Sequence, residues 1–178
     1  MPAERYDIDT VHSGIHFTVR HMVIAKVRGK FNRWSGSVLF DKDDPTLSSV
    51  DVKIEAASID TGIEDRDNHL RSPDFFDAAG HPELTFRSKR VERIDDENLR
   101  VVGDLTIRGT TREVALATEL NGATADPWGA QRVGFSARAA VNRHDFGLKW
   151  NSLLETGGAV VGDQVKIELE VEAVKKAA

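Results

Sequence analysis

Apolar and charged positions alternate with a period of two along most of this chain. The clearest stretch lies near the end: Val165, Ile167, Leu169, Val171 and Ala173 are apolar, and Lys166, Glu168, Glu170 and Glu172 between them are charged. Successive side chains of a strand point to opposite faces, so such a segment predicts a ribbon with one dry and one wet side. Ile15, Phe17 and Val19 alternate in the same way, as do Val50, Val52, Ile54 and Ala56, and Leu84 and Phe86. So do Leu99, Val101, Leu105 and Ile107; Val114, Leu116 and Leu120; and Val133, Phe135, Ala137, Ala139 and Val141. Between Val27 and Phe40 the apolar parity changes, from Val27 and Phe31 to Val38 and Phe40. That switch predicts a bulge or sharp bend across Arg33-Trp34-Ser35-Gly36. The pattern predicts eight strands, several near ten residues long.

Two segments break the rhythm. Residues 58–82 predict a short helix over Glu64–Arg71 with a stop at Pro73, and residues 143–163 are too long for a plain hairpin loop. The remaining connections are short and polar, as at Asp95-Asp96-Glu97 and Gly109-Thr110-Thr111. No internal repeat, low-complexity tract or linker interrupts residues 1–178, so a single all-β domain is expected. Amphipathic antiparallel strands joined by short loops favour an eight-stranded up-and-down barrel over a sandwich, because closure removes exposed edges. Such a barrel is just wide enough to be filled by side chains or to hold one small ligand. Small residues on the inward face (Gly103, Ala137, Ala139 and Ala56) fit either a tapering solid core or an open interior.

Composition narrows the chemistry. The chain has no cysteine, which removes disulfides, thiolate nucleophiles and cysteine-ligated metal centres. Its formal net charge of −5 argues against nucleic acid as a main partner. No apolar run approaches the roughly 20 residues of a membrane-spanning helix. The first ten residues, MPAERYDIDT, lack a basic region and an apolar run, so the chain as written is expected in the cytoplasm, or in the periplasm if a leader has been removed. No GxSxG elbow or phosphate-binding glycine loop occurs, and Gly157, Gly158 and Gly162 read as backbone needs of a tight connection.

Four blocks give the chain a family likeness: HSGIHFTVRHMVIAKVRGKF, RDNHLRSPDFFD, GDLTIRGTTREVAL and RHDFGLKWNSLLETGGAVVGDQVKI. In this order they resemble the YceI-like family of bacterial proteins, from Tyr6 to Val174. The resemblance implies a lipocalin-like barrel, with two short helical insertions, enclosing a long amphiphilic isoprenoid such as a polyprenyl chain or an isoprenoid quinone. It implies no cofactor beyond that ligand, no catalysis, and allows a homodimer. A linear, insoluble tail suits a long, dry tube. At ~0.8 kcal/mol per buried CH2, a long tail grosses well over ~20 kcal/mol, from which ordering and immobilisation subtract heavily.

The inward residues Phe17, Val19, Phe31, Phe40, Ile54, Phe86, Leu105 and Phe135 are then the candidate ligand contacts. His21, at the end of its strand on the same parity, reads either as a structural histidine or as a partner for a polar head group. Phe146, Leu148, Trp150, Leu153 and Leu154 form an apolar cluster that could plug one end or gate an entrance. Of these, Phe146 and Trp150 are ligand candidates, and Asn151 is a candidate hydrogen-bond partner for a quinone or pyrophosphate head. No metal site is expected: His12, His16 and His21 lack helical spacing and a carboxylate pair. Glu64, Asp65 and Asp67 read as first-turn charges suited to the helix dipole, not as an acid–base set with His69. An enzyme acting on the lipid head group would need His21 or His144 beside it.

Overall fold

The alternating segments pair in sequence order and close on themselves. In the computed structural model, which describes residues 3–22, 24–151 and 160–176, the strands are β1 (Glu4–Ile8), β2 (Gly14–His21), β3 (Ala25–Phe31), β4 (Trp34–Phe40), β5 (Ser49–Glu55) and β6 (Ile59–Asp60). They continue as β7 (Glu83–Arg93), β8 (Asn98–Ile107), β9 (Thr110–Ala125), β10 (Gln131–Asn142) and β11 (Val161–Lys175). β1 and β2 are two halves of one bent stave, as are β3 and β4: β1 pairs with β4, and β2 with β3, in antiparallel register. Counted this way, eight staves run up and down, and β11 closes the ring by pairing with β1 at Tyr6↔Lys175 and with β2 at Phe17↔Ile167. The architecture is a closed eight-stranded antiparallel barrel.

The parity switch has a local cause. Asn32 and Arg33 leave the ladder between β3 and β4, at the start of the predicted bend, so two residues instead of one separate inward Phe31 from inward Trp34 and the inward set passes from odd to even numbers. Their freed backbone groups are not left bare. Asn32 N–H donates to Ser58 O, and Arg33 O accepts from Glu55 N–H, so the bend is where the first insertion docks. The segment Glu4–Ile8 went unpredicted as a strand because only Tyr6 and Ile8 carry its apolar face. The second insertion supplies a 3-10 turn, Arg143–Phe146, closed by Gly147 at φ 80°.

Helix α1 (Glu64–Arg71) falls where predicted and stops at Ser72, before Pro73. It lies at the same barrel end as the β2–β3 tip, the Arg108–Gly109 turn and the Arg143–Phe146 turn, here called the hairpin end. The opposite end holds Glu4, the 41–48 connection and Lys175, and is called the terminal end.

Two apolar clusters divide the interior. The larger contains Phe31, Ile54, Phe86, Leu105 and Phe146; the smaller, at the terminal end, gathers Tyr6, Val38, Phe40, Val133 and Ala173.

Candidate ligand-binding cavity

Inward-facing residues are not equally buried around the ring. Val52, Ile54, Leu84, Phe86 and Leu105, on β5, β7 and β8, are buried. Phe17, Val19, Val165, Ile167, Leu169 and Val171, on β2 and β11, face the same interior but are only half-buried. A solid core would bury both walls alike. The difference marks an internal cavity of about 240 Å³ against β2 and β11.

Of the 38 described residues that line it only His16, Ser48, Ser49, Thr118 and Arg143 are polar. At roughly 30 Å³ per water-sized group in a filled space, the cavity holds about eight such groups. The interior is therefore a dry chamber, and the choice between filled and hollow is resolved as hollow.

Aromatic contacts bound it at both ends. At the terminal end Phe40 meets Phe135 edge-on at 5.5 Å and Tyr6 at 6.0 Å. Toward the hairpin end Phe31 packs on Phe17 at 5.7 Å and edge-on against Phe76 at 5.9 Å. Behind them Trp150 sits 4.6 Å from His69 and 5.5 Å from Phe75. The first insertion thus folds over the barrel as a cap.

Nine of the twelve ligand candidates line the cavity together: Phe17, Val19, Phe31, Phe40, Ile54, Phe86, Leu105, Phe135 and Phe146. The other three lie off its lining. His21 ends β2, where it pairs with Ala25 and Val161. Trp150 packs in the cap, behind the wall. Asn151 uses its side-chain amide on the backbone of Val161, donating to O at 2.8 Å and accepting from N–H at 3.1 Å, so its role is to tie the second insertion to β11. Leu153, Leu154, Gly157 and Gly158 lie outside the described residues. At Gly103 the taper reading holds: the Phe86 ring covers it, and a Cβ there would stand 2.6 Å from Phe86 Cζ.

Arg143 carries a role that alternation could not show, because it lies outside the strands. It is buried, yet its guanidinium donates to four backbone carbonyls: Gly162 (2.8 Å), Leu148 (2.7 Å), Trp150 (2.8 Å) and Val161 (3.3 Å). Burial lowers its pKa, partly countered by Asp163, and the carbonyls supply the partners a buried cation requires. One side chain thereby fastens the second insertion to the start of β11 and closes part of the cavity wall. The only sequence signal for it was a cation between an apolar strand and an apolar loop.

A YceI-like domain model matches residues 6–173. The chain belongs to the YceI-like family. A UPF0312 protein of Staphylococcus epidermidis is 40% identical over 169 residues, spanning 94% of this chain and 96% of that one. A Vibrio cholerae UPF0312 protein is 37% identical over 176 residues, 98% of this chain and 89% of its own. Among solved structures, a Campylobacter jejuni YceI protein is 34% identical with a TM-score of 0.78, covering 89% of this chain and 90% of that one. A domain of Saccharophagus degradans described as polyisoprenoid binding shares the fold at TM-score 0.74 with 14% identity, over 99% of this chain and 100% of that domain.

The polar clusters of this YceI-like barrel lie outside the chamber. His144 Nε2 is 2.7 Å from Asp163 on the surface, and neither His21 nor His144 lines the cavity. On α1, Asp67 is buried and accepts from Thr61 N–H (2.8 Å) and Thr61 Oγ1 (2.5 Å), while His69 pairs with Asp74 and not with Asp65.

Asp9, His12 and Glu172 come together on the outer face in a grouping that spacing did not reveal. Arg132 stands among them, 3.0 Å from Asp9 and 3.7 Å from Glu172, so a resident guanidinium supplies the positive charge there. His12, helped by Arg132 and against partial burial, holds Asp9 at a pKa of about 2, and Asp9 in turn raises that of His12.

Proposed function

We propose that this YceI-like protein binds a long amphiphilic isoprenoid, a polyprenyl chain or an isoprenoid quinone, inside the barrel and serves as a non-catalytic store or carrier. The observation that carries the reading is the continuous apolar chamber between two aromatic closures, whose walls stay half-exposed where nothing fills them. A long, linear hydrophobic tail suits such a chamber, because it can bury carbon after carbon without needing polar partners. The Saccharophagus domain of the same fold, described as polyisoprenoid binding, supports the same ligand class. His16 and Arg143 are the titrating side chains among the described lining residues, a lining that favours holding over reacting.

Size sets a scale. About eight buried carbons at ~0.8 kcal/mol each gross about 6 kcal/mol, well inside the practical ceiling for non-covalent binding. Longer tails must displace the aromatic closures or leave the barrel. Trp34 lines the chamber and reports occupancy, since a quinone quenches indole emission. Titrating delipidated protein with an isoprenoid quinone is expected to quench Trp34 and saturate near one ligand per chain. Absence of both quenching and binding heat overturns the reading.

A further inference from the structure

The β2–β3 hairpin combines two surface features that point to one partner. At its tip Met22 is 40% exposed and Ile24 86% exposed, although both are large apolar side chains. Met22 takes a left-handed conformation (φ 54°) and donates its N–H to Val160 O at 2.8 Å, which ties the backbone at Met22 to the residue before β11. Behind the tip, on the outward face, Arg20 pairs across from Lys26, and Thr18 lies between Arg28 and Lys166 on the neighbouring strands. Two adjoining rows therefore present Arg20, Lys26, Arg28 and Lys166. Asp163, in the irregular stretch of β11 between Val161 and Val165 that runs opposite Arg20, is paired with His144; the next acids, Asp60 and Glu168, come in the third row, beside Lys30 and His16.

The charge is segregated along the chain as well. Residues 10–40 contain five Lys or Arg and no Asp or Glu, in a protein whose net charge is −5. Lys26, Arg28 and Lys166 have no ion pair among the described residues.

We infer that the hairpin tip docks on an anionic phospholipid surface. Strand residues advance ~3.4 Å each, so the Arg20–Lys26 row lies roughly 7 Å behind the tip. That spacing matches an apolar group sunk ~5–10 Å into the headgroup–acyl boundary with cations left at the phosphates. The same hairpin carries Phe17 and Val19 on its inward face, so docking sets the chamber wall against the lipid surface. The purpose of docking, lipid exchange, rests on the function proposed above; the docking does not.

Co-sedimentation with phosphatidylcholine vesicles, with and without phosphatidylglycerol, tests it on the full chain. Partition is expected to be about tenfold or more greater on the phosphatidylglycerol vesicles, and to fall at high salt. Ile24→Asp and the double substitution Lys26→Glu, Arg28→Glu are each expected to abolish it, while circular dichroism and quinone quenching in solution stay unchanged. Equal partition onto both vesicle types, or retention of binding by the variants, overturns the inference. So does self-association that Ile24→Asp abolishes without any vesicle binding, which would assign the tip to a second copy. Failure of quinone binding with vesicle docking intact overturns the lipid-carrier reading alone.

Discussion

Phe17 and Gly29 face each other across the β2–β3 hairpin, and the phenyl ring occupies the space above the glycine. A Cβ on Gly29 would stand 2.2 Å from Phe17 Cζ. Gly29→Ala therefore drives the ring off its strand. The ring is the free end of a side chain, so it can move, and the volume beside it is the chamber. The fold is expected to survive with a smaller cavity, and quinone affinity to fall about tenfold or more at a stability cost of about 1–3 kcal/mol. Paired calorimetric and denaturant titrations measure both effects.

Gly103 gives the opposite balance. There a Cβ meets backbone, at 2.5 Å from Arg87 O and 2.8 Å from Ser88 Cα, as well as the Phe86 ring. Backbone in a barrel wall cannot swing aside. Gly103→Ala is expected to destabilise toward the upper end of, or beyond, the ~1–3 kcal/mol of ordinary overpacking, seen as a lower urea midpoint.

Arg143→Ala removes the partner of four carbonyls around the second insertion. The expected loss is about 2–4 kcal/mol, from stranded acceptors and lost packing. Arg143→Lys should recover little, because an ammonium offers three donors without the planar fork. Amide exchange at Val161, whose N–H is held by Asn151, should accelerate in both variants.

The Asp9–His12 pair makes a pH prediction. Asp9, depressed to about 2 by His12, contributes stability that is complete above the ordinary carboxylate value of ~3.9 and lost as the pH falls toward 2. His12, raised by Asp9, contributes below its ordinary ~6.5 and loses that contribution as the pH rises through its folded value. The pair is strongest between about pH 4 and 6.5. In His12→Ala the Asp9 carboxyl, followed by carbon NMR, should titrate closer to the ordinary value, with Arg132 still holding it partly down.

The alternation in β7 to β11 could be read from sequence because each strand keeps one face dry over many residues, as Val165 to Ala173 do. β1 could not, since Tyr6 and Ile8 alone carry its inward face and its partner β4 is distant in sequence. Eight of the nine cavity residues follow from parity, and Phe146 from the apolar cluster of the second insertion. The hollowness does not: whether Phe86 fills the space above Gly103 or leaves it open depends on ring placement, which period two does not encode. Alternation gives Arg143 no role, and reads Asn151 as a head-group partner and Asp67 as a first-turn charge, for a common reason. Each spends its side chain on the backbone of a segment remote in sequence or folded back on itself, and such a partner leaves no periodic trace.

Arginine at position 135 tests the terminal closure from within. Phe135 lines the chamber and meets Phe40 at 5.5 Å, so Phe135→Arg places a cation in a dry wall. Quinone binding is expected to be lost. Phe135→Leu, which keeps the wall apolar, should retain most of it.

The central claim is that the chamber holds an isoprenoid. Mass spectrometry of the organic extract from protein purified without detergent, compared with the extract of Phe135→Arg prepared identically, tests it most directly. A polyprenyl or isoprenoid-quinone species is expected at close to one per chain in the unmodified protein, and its loss in the variant. An extract with no isoprenoid, from protein that also refuses an added one, would contradict it.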